Sequence, residues 1–187
     1  MPPMRRGANV ALTREIPGLT GIAVGVAWNT GAEPVLEENL VLAAVLCDDA
    51  GRAPSAEHLV FFNQLSSPDE SVTSVEHALA GDREQVEIDL PDVPAAVSRI
   101  VVVVYVNEGT TQHRTLAQLR DITVVVREAG SGRELVRSEN LAPGLTAETA
   151  LVLGEVYRHS GDWKFKVTGQ GYTAGIAGVA GDYGIPL

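Results

Sequence analysis

Hydrophobic and polar residues alternate along several stretches of the chain with a period of two, which is typical of β-strands with one buried face. The stretch EQVEIDL, which ends at Leu90, places Val86 and Ile88 on one face and Glu87 and Asp89 on the other. This pattern predicts a strand that is half exposed to water.

Two hairpins are predicted from paired stretches of this kind. WKFKV at 163–167 follows ALVLGEVYRH at 150–159, and Ser-Gly-Asp at 160–162 provides the reversal between them. ITVVVRE at 122–128 and ELVRSE at 134–139 flank a glycine-containing turn, which favours a second hairpin.

Two other runs are apolar throughout. LVLAAVLC at 40–47 fits either a buried strand or a helical segment. The turn residues at 48–51 and the stretch HLVFFN at 58–63 favour a hairpin with that run. RIVVVVYV at 99–106 is rich in β-branched residues, so we expect it in the middle of a sheet.

Near the N-terminus, residues 9–29 predict a strand, a turn at Pro17-Gly18 and a second strand. Between residues 110 and 120, Leu116 and Leu119 are spaced three apart, which predicts a short surface helix. Nineteen glycines and ten prolines favour short strands and tight turns. The sequence therefore predicts an all-β, β-dominated fold, namely a two-sheet β-sandwich with a few short helices.

Length and composition restrict the classes of protein to consider. The 187 residues, 45% of them hydrophobic, suffice for one substantial core, so we expect a single domain over residues 1–187. A net charge of −10 and a pI near 4.8 argue against a nucleic-acid partner. No stretch reaches the length needed to span a bilayer, so we expect a soluble cytoplasmic protein. The single cysteine, Cys47, lies in an apolar run and is predicted to be a buried structural thiol.

Signals for catalysis are weak. GQGYTAG at 169–175 resembles a dinucleotide fingerprint, but the second parallel strand and the acidic residue that such a site requires are missing after it. The four histidines lack the spacing of a zinc site. These motifs therefore do not support an enzyme. An alternative stays open, a nucleotide- or oxyanion-binding protein or enzyme with a loop pocket, in which Arg114, Arg120 and Arg158 contact the anion.

Carboxylates and amides cluster in several predicted loops. Calcium takes about six to eight oxygen ligands, and carboxylate, amide and backbone oxygens all serve. The loops that offer them are EEN at 37–39, FFNQ at 61–64, SPDES at 67–71 and GDRE at 81–84. They form a cation site if the fold brings them together, and are otherwise solvated loops of an acidic protein.

Four segments, at 7–29, 61–72, 87–104 and 154–185, resemble the TerD family of bacterial tellurium-resistance and general stress proteins. The resemblance runs over nearly the whole chain, and the last segment is its most specific part. It implies a β-sandwich with short helices, calcium binding in loops at one end and no enzymatic activity. It also implies association with other proteins of the Ter system, including a membrane-bound partner that would hold this protein at the inner face of the membrane.

The departures from the family fall on the calcium ligands. Family members usually carry Phe-Asp-Leu-Asp where this chain has Glu-Asn-Leu-Val at 38–41, so an amide and an isopropyl group replace two carboxylates. The family's long glycine-rich loop is shortened to EHALAGDRE at 76–84, in which Arg83 replaces an acidic residue. Fewer carboxylates and one added cation weaken calcium binding, which we expect to be weak or absent. The retained candidate ligands are Asn63, Asp69, Asp82, Glu84 and Asn39.

The prediction from sequence is thus a non-enzymatic, TerD-like stress-response protein that acts as a binding or scaffold module. We expect Arg83 to supply in place the positive charge that calcium brings in the family, and so to hold the loops in one state.

Overall fold

The structure, a computed structural model, describes residues 2–107 and 113–186. Two antiparallel β-sheets pack face to face, and three short α-helices lie at their ends and on one outer face. The predicted two-sheet β-sandwich with a few short helices is confirmed.

The elements of the described chain have the following bounds. The strands are β1 (Asn9–Ala11), β2 (Gly21–Asn29), β3 (Leu40–Cys47), β4 (Leu59–Val60), β5 (Val72–Val75), β6 (Glu84–Asp89), β7 (Arg99–Val106), β8 (Asp121–Glu128), β9 (Glu134–Arg137), β10 (Ala150–His159) and β11 (Asp162–Tyr172). The α-helices are α1 (Leu12–Glu15), α2 (Pro34–Asn39) and α3 (Gly175–Tyr183). Single turns of 3₁₀-helix occur at Ala56–His58, Leu90–Asp92 and Leu116–Gln118.

The six-stranded sheet has the order β1-β11-β10-β7-β3-β4. Every residue of β3 is buried, and β7 lies between β3 and β10, so the predicted central position of residues 99–106 is confirmed. The ambiguous run at 40–47 is a strand. One face of these strands packs into the space between the sheets, and the other packs against α3, which explains why their apolar runs do not alternate.

The five-stranded sheet has the order β5-β6-β2-β8-β9, with β2 at its centre. Ile22, Val24 and Val26 of β2 point into the core between the sheets. The outer face of β2 carries only small residues, including Ala23 and Gly25, and this allows the side chains of neighbouring strands to lie across it.

The predicted hairpins are present. β10 and β11 are joined through Ser160 and Gly161, whose φ angles of 51° and 82° match the tight turn with two left-handed residues that strand twist favours. β8 pairs with β9, and β3 pairs with β4 in antiparallel fashion. The last pairing involves only two residues of β4, because the intervening chain forms a longer connection with the 3₁₀ turn at Ala56–His58.

Two local predictions need correction. The N-terminal strand, turn and strand are interrupted by α1, which directly follows β1. The predicted surface helix is a single 3₁₀ turn whose two leucines, Leu116 and Leu119, are buried, because the turn closes one part of the core instead of lying on the surface. The residues at 110–112 of that prediction lie outside the described chain.

The glycine-rich stretch at 169–175 contains the end of β11 and the first residue of α3, and the expected turn from sheet to helix consists of Thr173 and Ala174. Val179 and Ala180 of α3 pack on the outer face of the six-stranded sheet, in the same apolar cluster as Cys47. Burial raises the pKa of the Cys47 thiol to about 12, which agrees with the predicted inert structural cysteine. In the described ranges no helix combines the length and the apolar character that crossing a membrane would require.

Candidate functional site

Two of the predicted ligand segments, at 37–39 and 81–84, meet in the structure. The backbone amide of Leu42, in β3, donates a hydrogen bond of 3.4 Å to Oε1 of Glu84 at the start of β6. An ion pair joins Nη1 of Arg83 to Oε1 of Glu37 in α2 at 2.5 Å. These contacts link the two sheets across residues that are more than forty positions apart in sequence.

Glu37 is the acceptor at the centre of this contact. Its Oε2 accepts hydrogen bonds from Trp28 Nε1 at 3.2 Å and from the hydroxyl of Thr30 at 2.9 Å. The guanidinium carbon of Arg83 lies 5.9 Å from the centroid of the Trp28 ring, within the range of a cation–π interaction. The Glu37 carboxylate is therefore held by one cation and two neutral donors, all from this chain.

Asp82, one residue before Arg83, has a different partner. Its carboxylate forms a bidentate ion pair with Arg127 of β8, in which both N to O distances are 2.8 Å. Gln85 Nε2 donates a third hydrogen bond at 2.7 Å. The Asp82 side chain is only 2% exposed and that of Arg127 only 6%. The hydrogen bond to Asp82 raises the pKa of Arg127 above its ordinary value, against the opposing effect of burial.

The absence of a side chain at Gly25 makes this ion pair possible. A Cβ atom at this position of β2 would lie 2.8 Å from Cγ of Asp82 and 3.0 Å from Cγ of Gln85, so the Asp82 carboxylate would have to move. Gln85 also holds the loop before Arg83, since its side chain bonds both the amide and the carbonyl of Leu79 at 2.9 and 3.0 Å. The loop is thereby fixed on the outer face of the five-stranded sheet.

Glu84 points the other way, on the side of β6 that carries the buried Val86 and Ile88. Burial raises the pKa of Glu84 to about 7, and the hydrogen bond from Leu42 opposes this rise. Within the described part of the chain, no lysine, arginine or histidine forms an ion pair with it. Glu84 is therefore a partly buried carboxyl group that titrates near neutral pH.

The other three predicted ligands lie in local structures of their own. Asn63 is at the apex of a tight turn closed by two backbone hydrogen bonds of 3.0 Å between Phe61 and Gln64. Asn39 ends α2, and its Nδ2 donates to the carbonyl of Val35 at 2.7 Å.

Asp69 belongs to the turn before β5. Its Oδ1 accepts hydrogen bonds from the hydroxyl of Ser67 at 2.9 Å, from the amide of Ser71 at 2.8 Å and from the hydroxyl of Ser71. Burial raises the pKa of Asp69, but the hydrogen bonds from Ser71 and Ser67 outweigh it, and the net shift is downward. This carboxylate is therefore used to stabilise its own turn.

The five predicted ligands fall into three places: the end of α2, the chain between β4 and β5, and the start of β6. Over residues 2–107 and 113–186, no three histidine, cysteine, aspartate or glutamate side chains form a group that could hold a metal ion. Val41, which stands where the family has a second aspartate, is 8% exposed and packs in the apolar cluster beneath α3. Of the three carboxylates among the predicted ligands, Asp82 is paired with Arg127 and Asp69 accepts hydrogen bonds from the serines of its own turn.

The three arginines considered as anion contacts have different surroundings. Arg158 donates to the carbonyls of Val93 and Val97 at 2.8 and 3.0 Å and stacks over Trp163 at 4.3 Å, an arrangement that holds a loop against the sheet. Arg120 is exposed.

Arg114 forms an ion pair with Glu33 at 2.9 Å. It also lines a cavity of about 420 Å³ together with His113, Thr149 and Thr173.

Sequence reasoning missed three residues that determine this region, namely Glu37 as the acceptor, Arg127 as the buried cation and Gly25 as the space for Asp82. The position of Glu84 could have been found, because the strict alternation of EQVEIDL extends to it and places it on the apolar face. No comparable pattern reveals which arginine pairs with Asp82.

Comparison with known proteins gives a consistent result. A family model described as the TerD domain matches residues 2–183. General stress protein 16U of Bacillus subtilis (strain 168) is 33% identical over 189 residues, which cover 98% of this chain and 97% of that protein. Tellurium resistance protein TerD of Serratia marcescens is 31% identical over 186 residues, which cover 97% and 96%.

A solved structure of a homologue of telluride resistance protein (TerD) from Streptomyces coelicolor A3(2) has the same fold. It superposes with a TM-score of 0.66 at 22% identity, over 87% of this chain and 96% of that one. The family model spans nearly all of the sequence, and both named relatives match almost end to end. The chain belongs to the TerD family.

Proposed function

We propose that this TerD-family chain is a non-enzymatic stress-response protein that works as a binding or scaffold module, and that its calcium binding is weak or absent. The observation that carries the proposal is the ion pair between Arg83 and Glu37, formed where the two family ligand motifs meet. In this proposal the guanidinium takes the electrostatic role that a bound cation has in the family.

Electrostatics supports this assignment. Two unit charges at 4 Å interact by about 4 kcal/mol at an effective dielectric of 20, and a divalent ion doubles that value. A calcium ion bound beside Arg83 would therefore meet a repulsion of several kcal/mol unless the side chain moved into solvent. The carboxylate of Asp82 offers no compensation, because Arg127 already neutralises it in a buried bidentate pair.

The proposed consequence is a loop region that stays in one state. In a calcium-dependent module, the metal orders the loops that carry its ligands. Here the hydrogen bonds of Gln85 and Asp82 hold the loop before β6 without a metal, and Arg83 holds α2. A module built in this way presents the same partner surface at low and at high calcium concentration.

Calcium titration of chelator-treated protein by isothermal calorimetry, with the melting temperature followed in parallel, tests the proposal. The unmodified protein is expected to give no heat of binding in the micromolar range, and Arg83→Asp to bind calcium more tightly. Arg133→Gln is the matched control, because it removes an exposed arginine that pairs with Glu128 and not with Glu37. Micromolar binding by the unmodified protein, with a rise in melting temperature, would refute the calcium part of the proposal.

A second candidate function is the binding of a nucleotide or another oxyanion. The observation that favours it is the cavity beside Arg114, which Thr149 and Thr173 also line. A thermal shift caused by nucleotides but not by calcium, and lost in Arg114→Gln but not in Arg133→Gln, would establish it. Equal shifts in the two variants would exclude Arg114 as the contact.

A further inference from the structure

The connection between β4 and β5 carries apolar side chains that the core does not use. The chain contains three phenylalanines, and two of them, Phe61 and Phe62, are adjacent in this connection. Phe62 is 49% exposed and Leu65 is 60% exposed. Among the described residues these are the two most exposed large hydrophobic side chains, and they are three positions apart.

The segment that presents them is well ordered by its hydrogen bonds. Phe61 and Gln64 exchange two backbone hydrogen bonds of 3.0 Å, which place Phe62 at the apex of a tight turn. The Gln64 side chain donates to the carbonyls of Ala56 and Leu59, and this ties the returning strand to the 3₁₀ turn beside it. We call residues 61–65 the apolar hairpin.

Further contacts hold both ends of the apolar hairpin. The rings of Phe61 and Phe62 meet edge to face, with their centroids 5.3 Å apart, and Phe61 packs against the cluster beneath α3. The carbonyl of Leu65 accepts a hydrogen bond of 2.8 Å from Ser74 of β5. The exposed side chains therefore stand on a pre-formed support, so binding through them would lose little conformational entropy.

The surroundings of the apolar hairpin are acidic. The thirty residues from Ala53 to Asp82 contain five carboxylates and no lysine or arginine. Asp82 is neutralised by Arg127, but Glu57, Glu70 and Glu76 are exposed. Exposed apolar side chains on an acidic stretch of chain are complementary to a partner that combines apolar side chains with the opposite charge.

We propose that the apolar hairpin is a docking surface for a lysine- or arginine-rich segment of another protein that inserts apolar side chains against Phe62 and Leu65. The charge of the surface selects this occupant. A second copy of the chain would place the same carboxylates against one another, and the net charge of −10 opposes an anionic membrane surface.

This inference deepens the proposed binding function and rests on it, but it is independent of calcium. A failure of the docking proposal can therefore be distinguished from a failure of the calcium proposal. Calcium affinity is measured on Arg83 variants, whereas docking is measured on variants of the apolar hairpin, with chelator present and again with added calcium.

The test uses the full chain and two synthetic peptides, one of alternating lysine and leucine and one in which glutamate replaces every lysine. Calorimetry is run on the unmodified protein, on the double variant Phe62→Ser with Leu65→Ser, and on Leu79→Ser. Leu79 is the matched control, because it is also an exposed leucine, 39% accessible, but lies against Gly132 on a different turn. A second double variant, Glu57→Lys with Glu70→Lys, reverses the charge of two exposed glutamates of this acidic stretch and leaves the apolar side chains in place.

The expected result is that the lysine peptide binds the unmodified protein and that each double variant weakens binding by about tenfold or more. Leu79→Ser should bind as the unmodified protein does, and raising the salt concentration should weaken binding. Melting temperatures of the variants show whether they remain folded. If the Phe62→Ser with Leu65→Ser variant does not fold, the charge variant still tests the proposal.

Three results would overturn the proposal. The first is equal affinity of the lysine peptide for the unmodified protein and for both double variants. The second is equal binding of the glutamate peptide. The third is that the lysine peptide does not bind, whereas the protein self-associates in sedimentation velocity or binds phosphatidylglycerol vesicles. If Phe62→Ser with Leu65→Ser abolishes that self-association, the occupant of the apolar hairpin is a second copy of the chain. If it abolishes the vesicle binding, the occupant is a membrane.

Discussion

Asp82 and Glu84 flank Arg83 on one short segment, yet the fold treats the two carboxyl groups in opposite ways. Asp82 is almost fully buried and receives three hydrogen bonds, two of them from Arg127. Glu84 is partly buried and receives one, from a backbone amide. A partly buried carboxyl group without a cation gains a raised pKa, as Glu84 does. The comparison shows that two residues of one motif need not share one role.

Backbone geometry explains the difference. Ala80 and Gly81 have φ angles of 56° and 84°, and this left-handed pair turns the chain so that Asp82 lies on the outer face of the five-stranded sheet. Glu84 is already in β6, where alternation places it on the inner side with Val86. Asp82 and Glu84 are spaced in sequence like two ligands of one site, but their side chains therefore lie on opposite faces of the sheet.

The largest expected effect comes from removing the cation of Asp82. Arg127→Met should lower the free energy of unfolding by about 3 to 5 kcal/mol, because it leaves a buried carboxylate without its partner. Urea denaturation measures this, with Arg133→Met as the control at an exposed site. A loss below about 1 kcal/mol would mean that the pair is not as desolvated as its burial indicates.

Gly25→Ala should act on the same ion pair without touching its charges. The added methyl group displaces the Asp82 carboxylate, so we expect a loss of about 2 to 3 kcal/mol from crowding and from the weakened pair. In the double variant Gly25→Ala with Arg127→Met, the loss of unfolding free energy should be smaller than the sum of the two single losses, since both substitutions act on one interaction. Full additivity in denaturation of the double variant would contradict this coupling.

Glu84→Gln tests the other carboxyl group through its pH dependence. The pKa of Glu84 is raised from 4.5 to about 7, so the folded state binds the proton more tightly than the unfolded chain. The stability that this provides is full below about pH 4.5 and is lost as the pH rises through about 7.

At pH 8 the glutamine variant should therefore be more stable than the unmodified protein, by about 2 kcal/mol once the full value of the pKa shift is reduced for the solvent-exposed part of the side chain. The difference should vanish at low pH. Urea denaturation over this pH range measures the difference. Glu87→Gln, an exposed carboxylate on the same strand, is the control and should show no such trend. A constant difference at all pH values would show that Glu84 is not the titrating group.

The smallest effect is expected for the exposed ion pair. Arg83 and Glu37 are 47% and 33% exposed, so Arg83→Gln should change the free energy of unfolding by about 0.5 kcal/mol, and less at high salt. Denaturation in low and high salt checks this value. A loss as large as that of Arg127→Met would show that the two ion pairs do not differ in the way that their burial suggests.

Much of the fold was readable from sequence, because strand patterns and turn residues are local signals. The alternation at β6 and β11, the β-branched run of β7 and the turn at Ser160 and Gly161 each depend on neighbours only a few residues away. Leu116 and Leu119 were placed wrongly because their spacing indicates a helical turn but does not indicate what covers it.

The candidate site was only partly readable. The resemblance identified the two segments that carry Asn39 and the pair Asp82 and Glu84, and the structure brings these two segments into contact. The partners of the individual side chains could not be predicted, because Arg127 and Asp82 are 45 positions apart and meet only when β2 lies between β6 and β8.

By itself the sequence determined the strand-rich fold, the acidic charge, the resemblance to the TerD family and the unusual arginine among the ligand positions. Only the tertiary structure decided that Arg83 pairs with Glu37 and that Glu84 has a raised pKa. It also decided that Arg127 neutralises Asp82 in the space that the missing side chain of Gly25 leaves free. The physical reason is that local patterns specify which face of a strand a residue occupies. The charge and polarity that surround a side chain depend instead on which distant strands become its neighbours.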